Sequence, residues 1–130
     1  MKYPIAIEAG NDKTAWGVII PDLPGCFSAA DSGIDEAIDN AKEAIELWIE
    51  AALDDSRDVP KPSSISDLQK KKEFKGYIWA IVEIDPALLS NEIDRVNISL
   101  PKRVLARLDA KAKSAGENRS GYIAQMAISS

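Results

Sequence analysis

Residues 92–130 contain the pattern that most limits the possible folds of this chain. From Arg95 to Leu100 polar and apolar residues alternate strictly, which is typical of a strand with one buried face. Pro101 ends this strand and suits the first turn of a helix, where its missing N–H costs nothing. Apolar residues at helical spacing then predict one helix that ends at Gly116 and a second that starts from an N-cap at Ser120. The predicted order is strand, helix, helix.

A strand–helix–helix unit of about 40 residues buries too little apolar surface to fold alone, and its single strand has no partner. A second copy of the chain solves both problems, because the two strands can pair about a two-fold axis while four helices close over a shared core. The outer face of this ribbon would carry Arg95, Asn97 and Ser99. Such a ribbon fits the DNA major groove, where Arg contacts guanine, Asn contacts adenine and Ser contacts either. The alternative is a helical hairpin whose short strand is exchanged into a neighbouring domain.

This unit resembles the ribbon-helix-helix repressors through residues 95–101, Gly116 and residues 118–123. Exposed amides at the start of the second helix are suited to bind a DNA phosphate. The predicted phosphate contacts are Lys102, Arg103, Arg119, Ser120, Gly121 and Tyr122. The second helix, Ser120 to Ser130, is short for this motif, which predicts either a small dimer core or a shortened chain.

Charge divides the chain into two parts. Residues 91–130 contain seven basic and four acidic residues, which gives a charge of +3. Since the net charge of the chain is −5, residues 1–90 carry a charge of −8. This division predicts two domains with different partners, of which only the second is suited to DNA. The predicted boundaries are a first domain at 1–86, a linker at 87–91 and a DNA-binding and dimerisation domain at 92–130.

Composition excludes several classes of protein. No apolar run approaches the about 18 residues of a membrane span, and the first residues do not form a signal peptide. The single cysteine, Cys26, excludes an intrachain disulfide and fits the cytoplasm. Without histidine, a Ser/His/Asp triad and a Cys/His dyad within this chain are excluded, as is a structural zinc site.

The first domain is predicted to be an α+β sandwich, a small sheet with one long helix packed on it. Period-2 patterns predict strands at 3–9, 15–20 and 26–30. A capping box from Ser32 to Asp35 opens the long helix, and a short helix capped at Ser64 or Ser66 is predicted within 63–72. The nearly continuous apolar segment 77–84 is predicted to be a strand in the interior of the sheet. Three tryptophans and Cys26 are expected in the core: Trp16, Trp48 and Trp79.

Clustered carboxylates could suggest a magnesium site for phosphodiester chemistry. They are Asp22, Asp31, Asp35, Glu36 and Asp39. Acidic residues near a helix N-terminus complement its dipole, however, and a solvated surface explains the others. We therefore predict no catalytic residue, no metal and no cofactor.

The whole chain resembles the HicB family of antitoxins, through the turn at Pro21–Gly25, the helix segment 37–46, the connector 60–63 and the strand before the DNA-binding unit. The resemblance implies a first domain with a partial, catalytically inactive RNase H-like fold that binds a small basic toxin of the HicA type, a ribonuclease that cleaves mRNA. It also implies a second domain that represses the operon's own promoter. We expect a homodimer, with a dimer of dimers as a further option.

The acidic first domain could mimic the RNA that such a toxin binds. The expected toxin contacts are on the turn and on the acidic edge of the long helix: Asp22, Leu23, Pro24, Glu43, Glu46 and Glu50. One alternative is a stand-alone ribbon-helix-helix regulator whose first domain senses a small molecule, which a deep apolar pocket would favour. Another is a degenerate nuclease, which the absence of histidine disfavours.

Overall fold

The computed structural model describes residues 1–90 and 92–129, and the chain divides into two compact units, Met1–Glu92 and Ile93–Ser130. Asn91 and Ser130, the last residues of the predicted linker and of the predicted final helix, lie outside the described residues. Within the part of the chain that is described, no helix is long and apolar enough to cross a membrane.

The first unit is built on a four-stranded sheet in which every pair of neighbours is antiparallel. Its strands are β1 (Lys2–Glu8), β2 (Trp16–Ile19), β3 (Phe27–Ala30) and β4 (Ile78–Glu83), in the order β3-β2-β1-β4. In the register, Ala6 of β1 lies opposite Ile19 of β2 and Trp79 of β4. The predicted α+β class is confirmed.

The predicted position of β4 is wrong, because β4 is an edge strand and β1 lies inside the sheet. Apolar residues occur on both faces of β4 because each face packs against another part of the unit, and not because the strand has two neighbours. Val82 is buried in the core on one face, while the Trp79 ring packs edge-on against Phe74, with 5.5 Å between ring centroids. A continuous apolar segment therefore indicates that both faces are at least partly covered, not that a strand has two neighbours.

One face of the sheet is covered by the long helix α1 (Ile34–Asp54). Its buried stripe packs into a core with β1 and β2, and consists of Ala37, Ala41, Ile45, Ile49 and Ala52. The predicted N-cap at Ser32 is wrong. Gly33 occupies that position with a φ of 134°, which favours glycine. The Ser32 hydroxyl instead donates to Glu36 Oε2, and this hydrogen bond is the main cause that lowers the pKa of Glu36.

The connector after α1 contains the short helix α2 (Ile65–Leu68) and a 3₁₀ turn at Lys72–Phe74. Ser64 caps α2 by accepting a hydrogen bond from the Asp67 N–H at 3.1 Å, as one of the two predicted alternatives requires. A second 3₁₀ turn, Pro86–Leu89, overlaps the predicted linker, and Leu89 packs against the core.

The second unit contains α3 (Lys102–Ser114) and α4 (Arg119–Ile128), preceded by Pro101 at the N-cap of α3. Gly116 has a φ of 72° and follows α3 as predicted. Its N–H donates to the Lys113 carbonyl at 3.1 Å, and the Glu117 N–H donates to the Ala112 carbonyl at 2.9 Å, which together form a Schellman motif.

Two predictions for this unit have different outcomes. The N-cap of α4 is Asn118, not Ser120, because the Asn118 Oδ1 accepts from the Gly121 N–H at 2.7 Å. Residues 95–100 form no strand among the described residues of the single chain. The proposed strand pairs with a second copy, so the intermolecular ribbon stays a prediction.

Candidate partner-binding and nucleic-acid surfaces

An acidic stripe runs along the solvent side of α1. It comprises Glu43, Glu46, Leu47 and Glu50, which recur at the three- and four-residue spacing that brings helical side chains onto one face. Leu47 is 59% exposed. Among the described residues, none of the three glutamates forms an ion pair. Leu47 was not predicted as a contact residue, although a leucine that lies outside the apolar stripe and among glutamates was a usable signal in the sequence.

The turn at residues 21–25 has a structural role that the sequence did not reveal. The Asp22 carboxylate accepts hydrogen bonds from the Ser63 N–H at 2.8 Å and from the Ser63 hydroxyl at 2.6 Å. The Pro24 carbonyl accepts a bond from the Trp48 indole N–H at 2.9 Å. Leu23 is fully buried, which removes its side chain from the accessible surface. Of the predicted toxin contacts in this turn, Pro24 is exposed and Asp22 is partly exposed.

The tryptophans and the cysteine differ in burial. Trp16, Trp48 and Trp79 are all half-buried, and of these Trp16 and Trp48 pack against the core as predicted. The Arg57 guanidinium lies over the Trp48 ring, 5.4 Å from its centroid. Cys26 is buried as predicted, and burial raises the pKa of its thiol to about 11. The thiol is therefore protonated at neutral pH and is a poor nucleophile.

The predicted base-contacting residues Arg95, Asn97 and Ser99 are all exposed, and so are the apolar residues between them. Val96 is 76% exposed and Ile98 is 60% exposed. In the described part of the second unit, Ala112 is the one residue that is fully buried. Further apolar side chains that remain exposed are Ile93, Leu100, Met126 and Ile128. This unit does not bury a core of its own.

The start of α4 differs from the predicted phosphate site. The Gly121 N–H already donates to the Asn118 side chain, and the Tyr122 N–H donates to the Asn118 carbonyl at 3.0 Å. Within the described residues, the amides of Arg119 and Ser120 have no such partner. The first-turn amides open to an anion are therefore those of Arg119 and Ser120, and not those of Gly121 and Tyr122, which were also predicted.

Arg119 is also held by a carboxylate. Its Nε and Nη2 donate to the two oxygens of Asp109, each at 2.9 Å, which joins α3 to α4. This hydrogen bonding lowers the pKa of Asp109 and raises that of Arg119. Lys102 and Arg103 are exposed in the first turn of α3, where positive charge opposes the helix dipole. The two cations therefore do not stabilise α3 through its dipole.

The described residues show no cluster of metal ligands, and the best-formed groove among them is polar. They contain no group of three or more His, Cys, Asp or Glu residues placed to hold a metal ion. A groove of about 670 Å³ is lined mostly by polar loop residues in segments 10–16 and 31–33. The described residues therefore provide no cluster of metal ligands of the kind a nuclease uses, and this groove is polar, unlike the pocket that would favour a sensor.

Comparison with known proteins gives consistent matches over nearly the whole chain. The profile described as the HicB-like antitoxin of bacterial toxin-antitoxin systems matches residues 3–127. An uncharacterised 14.9 kDa protein of Haemophilus phage HP1 is 40% identical over 98% of this chain and 95% of its own length. The antitoxin HicB of Burkholderia pseudomallei is 38% identical, with a TM-score of 0.63 over 98% of this chain and 96% of its own. A chain of a HicA3 and HicB3 toxin-antitoxin complex is 30% identical, with a TM-score of 0.53 over 66% of this chain and 100% of its own.

Proposed function

Because this chain belongs to the HicB-like antitoxins of bacterial toxin-antitoxin systems, we propose that its two units have separate tasks. The first unit neutralises a small basic ribonuclease toxin of the HicA type, and the second represses the protein's own operon by binding promoter DNA. Membership in an antitoxin family argues against an enzyme. Both proposed partners act in the cytoplasm, where we expect this protein.

The acidic stripe of α1 carries the toxin-binding proposal. A ribonuclease needs a positive surface to hold RNA, and three glutamates without ion pairs among the described residues complement such a surface. Charge mainly speeds the encounter, so apolar contacts must supply much of the affinity. Leu47 provides an exposed apolar centre with glutamates around it. Pro24 is a further proposed contact, and its carbonyl is held in place by the hydrogen bond from the Trp48 indole N–H.

The exposed alternation at residues 95–100 carries the DNA-binding proposal. The apolar side chains of Val96, Ile98 and Leu100 are exposed and need a covering surface. Pairing with a second copy of the chain would supply that surface and would leave Arg95, Asn97 and Ser99 on the outer face. Phosphate contacts would come from Lys102 and Arg103 and from the amides at the start of α4. Gly121 and Tyr122 lie next to this site, but their own amides are already bonded. Arg119 must leave or share Asp109 to contact a phosphate.

The division of tasks can be tested by growth rescue. In cells that express the toxin from the neighbouring gene, we expect both the full chain and residues 1–90 to restore growth, since 1–90 contain the whole proposed toxin surface. Residues 1–90 should not bind the operon's promoter DNA. Fragment abundance is checked by immunoblot, because loss of an unstable fragment would mimic loss of binding.

A matched pair of full-length variants refines the test. Leu47→Lys should weaken toxin binding, while Phe27→Lys, a change at another exposed apolar residue (65%), should not. A stable, abundant 1–90 fragment that gives no rescue while the full chain does would show that the second unit holds the toxin.

A further inference from the structure

A basic groove lies beside the start of β4, in a unit that is otherwise acidic. It has a volume of about 390 Å³ and is lined by residues of segment 69–79. Four lysines contribute to it, at positions 70, 71, 72 and 75, and Glu73 is the one acidic residue among them in the sequence. All four lysines are exposed, and none forms an ion pair with another described residue. The many carboxylates of the first unit therefore do not neutralise this groove.

The lysines are on a compact turn whose backbone is held at both ends. Leu68 and Phe74 are buried on either side of it. The N–H groups of Lys71, Phe74 and Lys75 each donate to the carbonyl three positions earlier, at 3.1 to 3.2 Å. Gly76 then has a φ of 85°, a left-handed conformation that favours glycine, and it leads the chain into β4. Because this backbone is already ordered, a ligand of the lysines would lose little affinity to loop ordering.

Aromatic rings form the apolar part of the same groove. Phe74 is buried and contacts Tyr77 and Trp79 edge-on, with 6.0 and 5.5 Å between ring centroids. Tyr77 and Trp79 are only half-buried, so part of each ring is open to a ligand. Side chains two positions apart on an extended segment lie on the same face, about 7 Å apart along the chain. The groove therefore combines positive charge with two neighbouring ring surfaces.

We propose that this groove binds a single-stranded nucleic acid, RNA or DNA, with its phosphates on the lysines and its bases on Tyr77 and Trp79. Proteins that bind single strands without sequence preference combine a positive groove for the backbone with aromatic side chains on which bases stack. The ring spacing is about twice the rise of about 3.4 Å along one strand of a duplex, so it suits an extended strand with unstacked bases. This site is distinct from the proposed toxin surface on α1 and from the promoter-binding residues of the second unit.

The role of the lysines can be tested with the full-length protein and a fluorescein-labelled oligouridylate of about 15 nucleotides, by fluorescence anisotropy. Lys72→Glu with Lys75→Glu should weaken binding roughly tenfold at low salt. It should also reduce the slope of log affinity against log salt by about 1.4, since each phosphate contact to a single strand contributes about 0.7. The matched control, Lys2→Glu with Lys42→Glu, makes the same charge change at exposed lysines outside the groove and should leave the slope unchanged. Equal losses in the two folded double variants overturn the inference.

The role of the rings can be tested with Tyr77→Leu, which keeps an apolar side chain beside Phe74 but removes the surface for stacking. Binding of the oligouridylate should weaken about fivefold. Inorganic polyphosphate, which has phosphates but no bases, should bind this variant as tightly as it binds the wild type. Circular dichroism and urea unfolding check that the variant is folded. Unchanged oligouridylate binding by folded Tyr77→Leu contradicts the inference, because the groove would then hold phosphates alone.

Two further comparisons identify the type of strand and the unit that binds it. Tighter binding of the oligouridylate or of its deoxyribose counterpart assigns RNA or DNA as the ligand, and either result supports the inference. In an Ile98→Asp background, which removes the proposed ribbon, the loss caused by Lys72→Glu with Lys75→Glu should persist. If that loss disappears, the second unit holds the strand and the inference is wrong. Failure of promoter binding in the wild type would reject the repressor proposal and leave the result for this groove standing.

Discussion

At the scale of single residues, Asp22 joins two segments that are 41 positions apart in the chain. Its carboxylate accepts both hydrogen bonds from Ser63, and the nearby Tyr3 hydroxyl donates to the Pro60 carbonyl at 2.6 Å. Burial first, and the charge of Asp22 second, raise the pKa of Tyr3. Tyr3 therefore stays a neutral hydrogen-bond donor at physiological pH. Together these residues hold the connector that leads from α1 to β4.

The Asp22→Ala substitution should destabilise the first unit by about 1–2 kcal/mol, because it removes two hydrogen bonds to a charged acceptor. The matched control is Asp58→Ala, an exposed aspartate in the same connector that accepts no hydrogen bond from a described residue, with an expected change within about 0.5 kcal/mol. Urea unfolding followed by tryptophan fluorescence measures both. Equal midpoints for the two variants would show that the Asp22–Ser63 bonds contribute nothing in solution.

At the scale of elements, the boundary between α3 and α4 is set by three local devices. Gly116 ends α3 in the left-handed conformation, Asn118 caps α4, and the Arg119–Asp109 pair joins the two helices. The Asp109 carboxylate has a lowered pKa, so its contribution to stability is complete above the usual aspartate range and is lost as the pH falls through its lower folded value. The pair of helices α3 and α4 is thus well defined locally, although it does not bury a core.

The identity of the cap can be tested with neighbouring alanine substitutions. Asn118→Ala should destabilise the start of α4 by about 1 kcal/mol, which is about a fivefold loss of hydrogen-exchange protection. Ser120→Ala should cause no loss, because Ser120 is inside the first turn and is not the cap. Amide exchange of residues 121–125, followed by NMR, measures this local effect. Greater loss for Ser120→Ala than for Asn118→Ala would restore the cap that the sequence predicted.

At the scale of the whole molecule, charge and apolar surface are divided between two units. The first carries the acidic excess and has its own buried core, whereas the second is basic and has exposed apolar residues. A basic unit without a core is expected where folding, dimerisation and DNA binding are coupled. The antitoxin task and the repressor task would then depend on separate surfaces.

Two substitutions at adjacent positions separate DNA recognition from dimerisation. Asn97→Ala should leave the dimer intact and lose about 1–3 kcal/mol of preference for the operator over unrelated DNA, because Asn97 is on the proposed outer face. Ile98→Asp should abolish both the dimer and DNA binding, because its side chain is on the proposed core face. Fluorescence anisotropy with promoter and unrelated DNA, at a fixed salt concentration, measures the preference. Wild-type preference in Asn97→Ala would mean that the assigned faces of the ribbon are wrong.

The sequence by itself determined the local features of this protein. The helical spacing of apolar residues located α1 and α3, and Gly116 marked a helix end correctly. Local patterns of apolar residues located the strands of the sheet, with a nearly continuous apolar segment at β4, and Ser64 was one of two predicted helix starts. These features depend on side-chain direction and backbone preference within a few residues. The division of charge between the two parts of the chain likewise needs only the sequence.

Only the tertiary structure decided which groups meet and which remain open. Periodicity shows that a strand has covered faces, but strand order depends on how the connector after α1 returns to the sheet, so the edge position of β4 was not predictable. The burial of Leu23 and the use of Asp22 by Ser63 depend on contacts between distant segments. Asn118 and Ser120 are both favourable N-cap residues by type. Asn118 is the cap because its backbone is extended immediately before the first turn of α4, whereas Ser120 already lies inside that turn. These outcomes follow from packing and hydrogen-bond geometry, which local patterns constrain but do not specify.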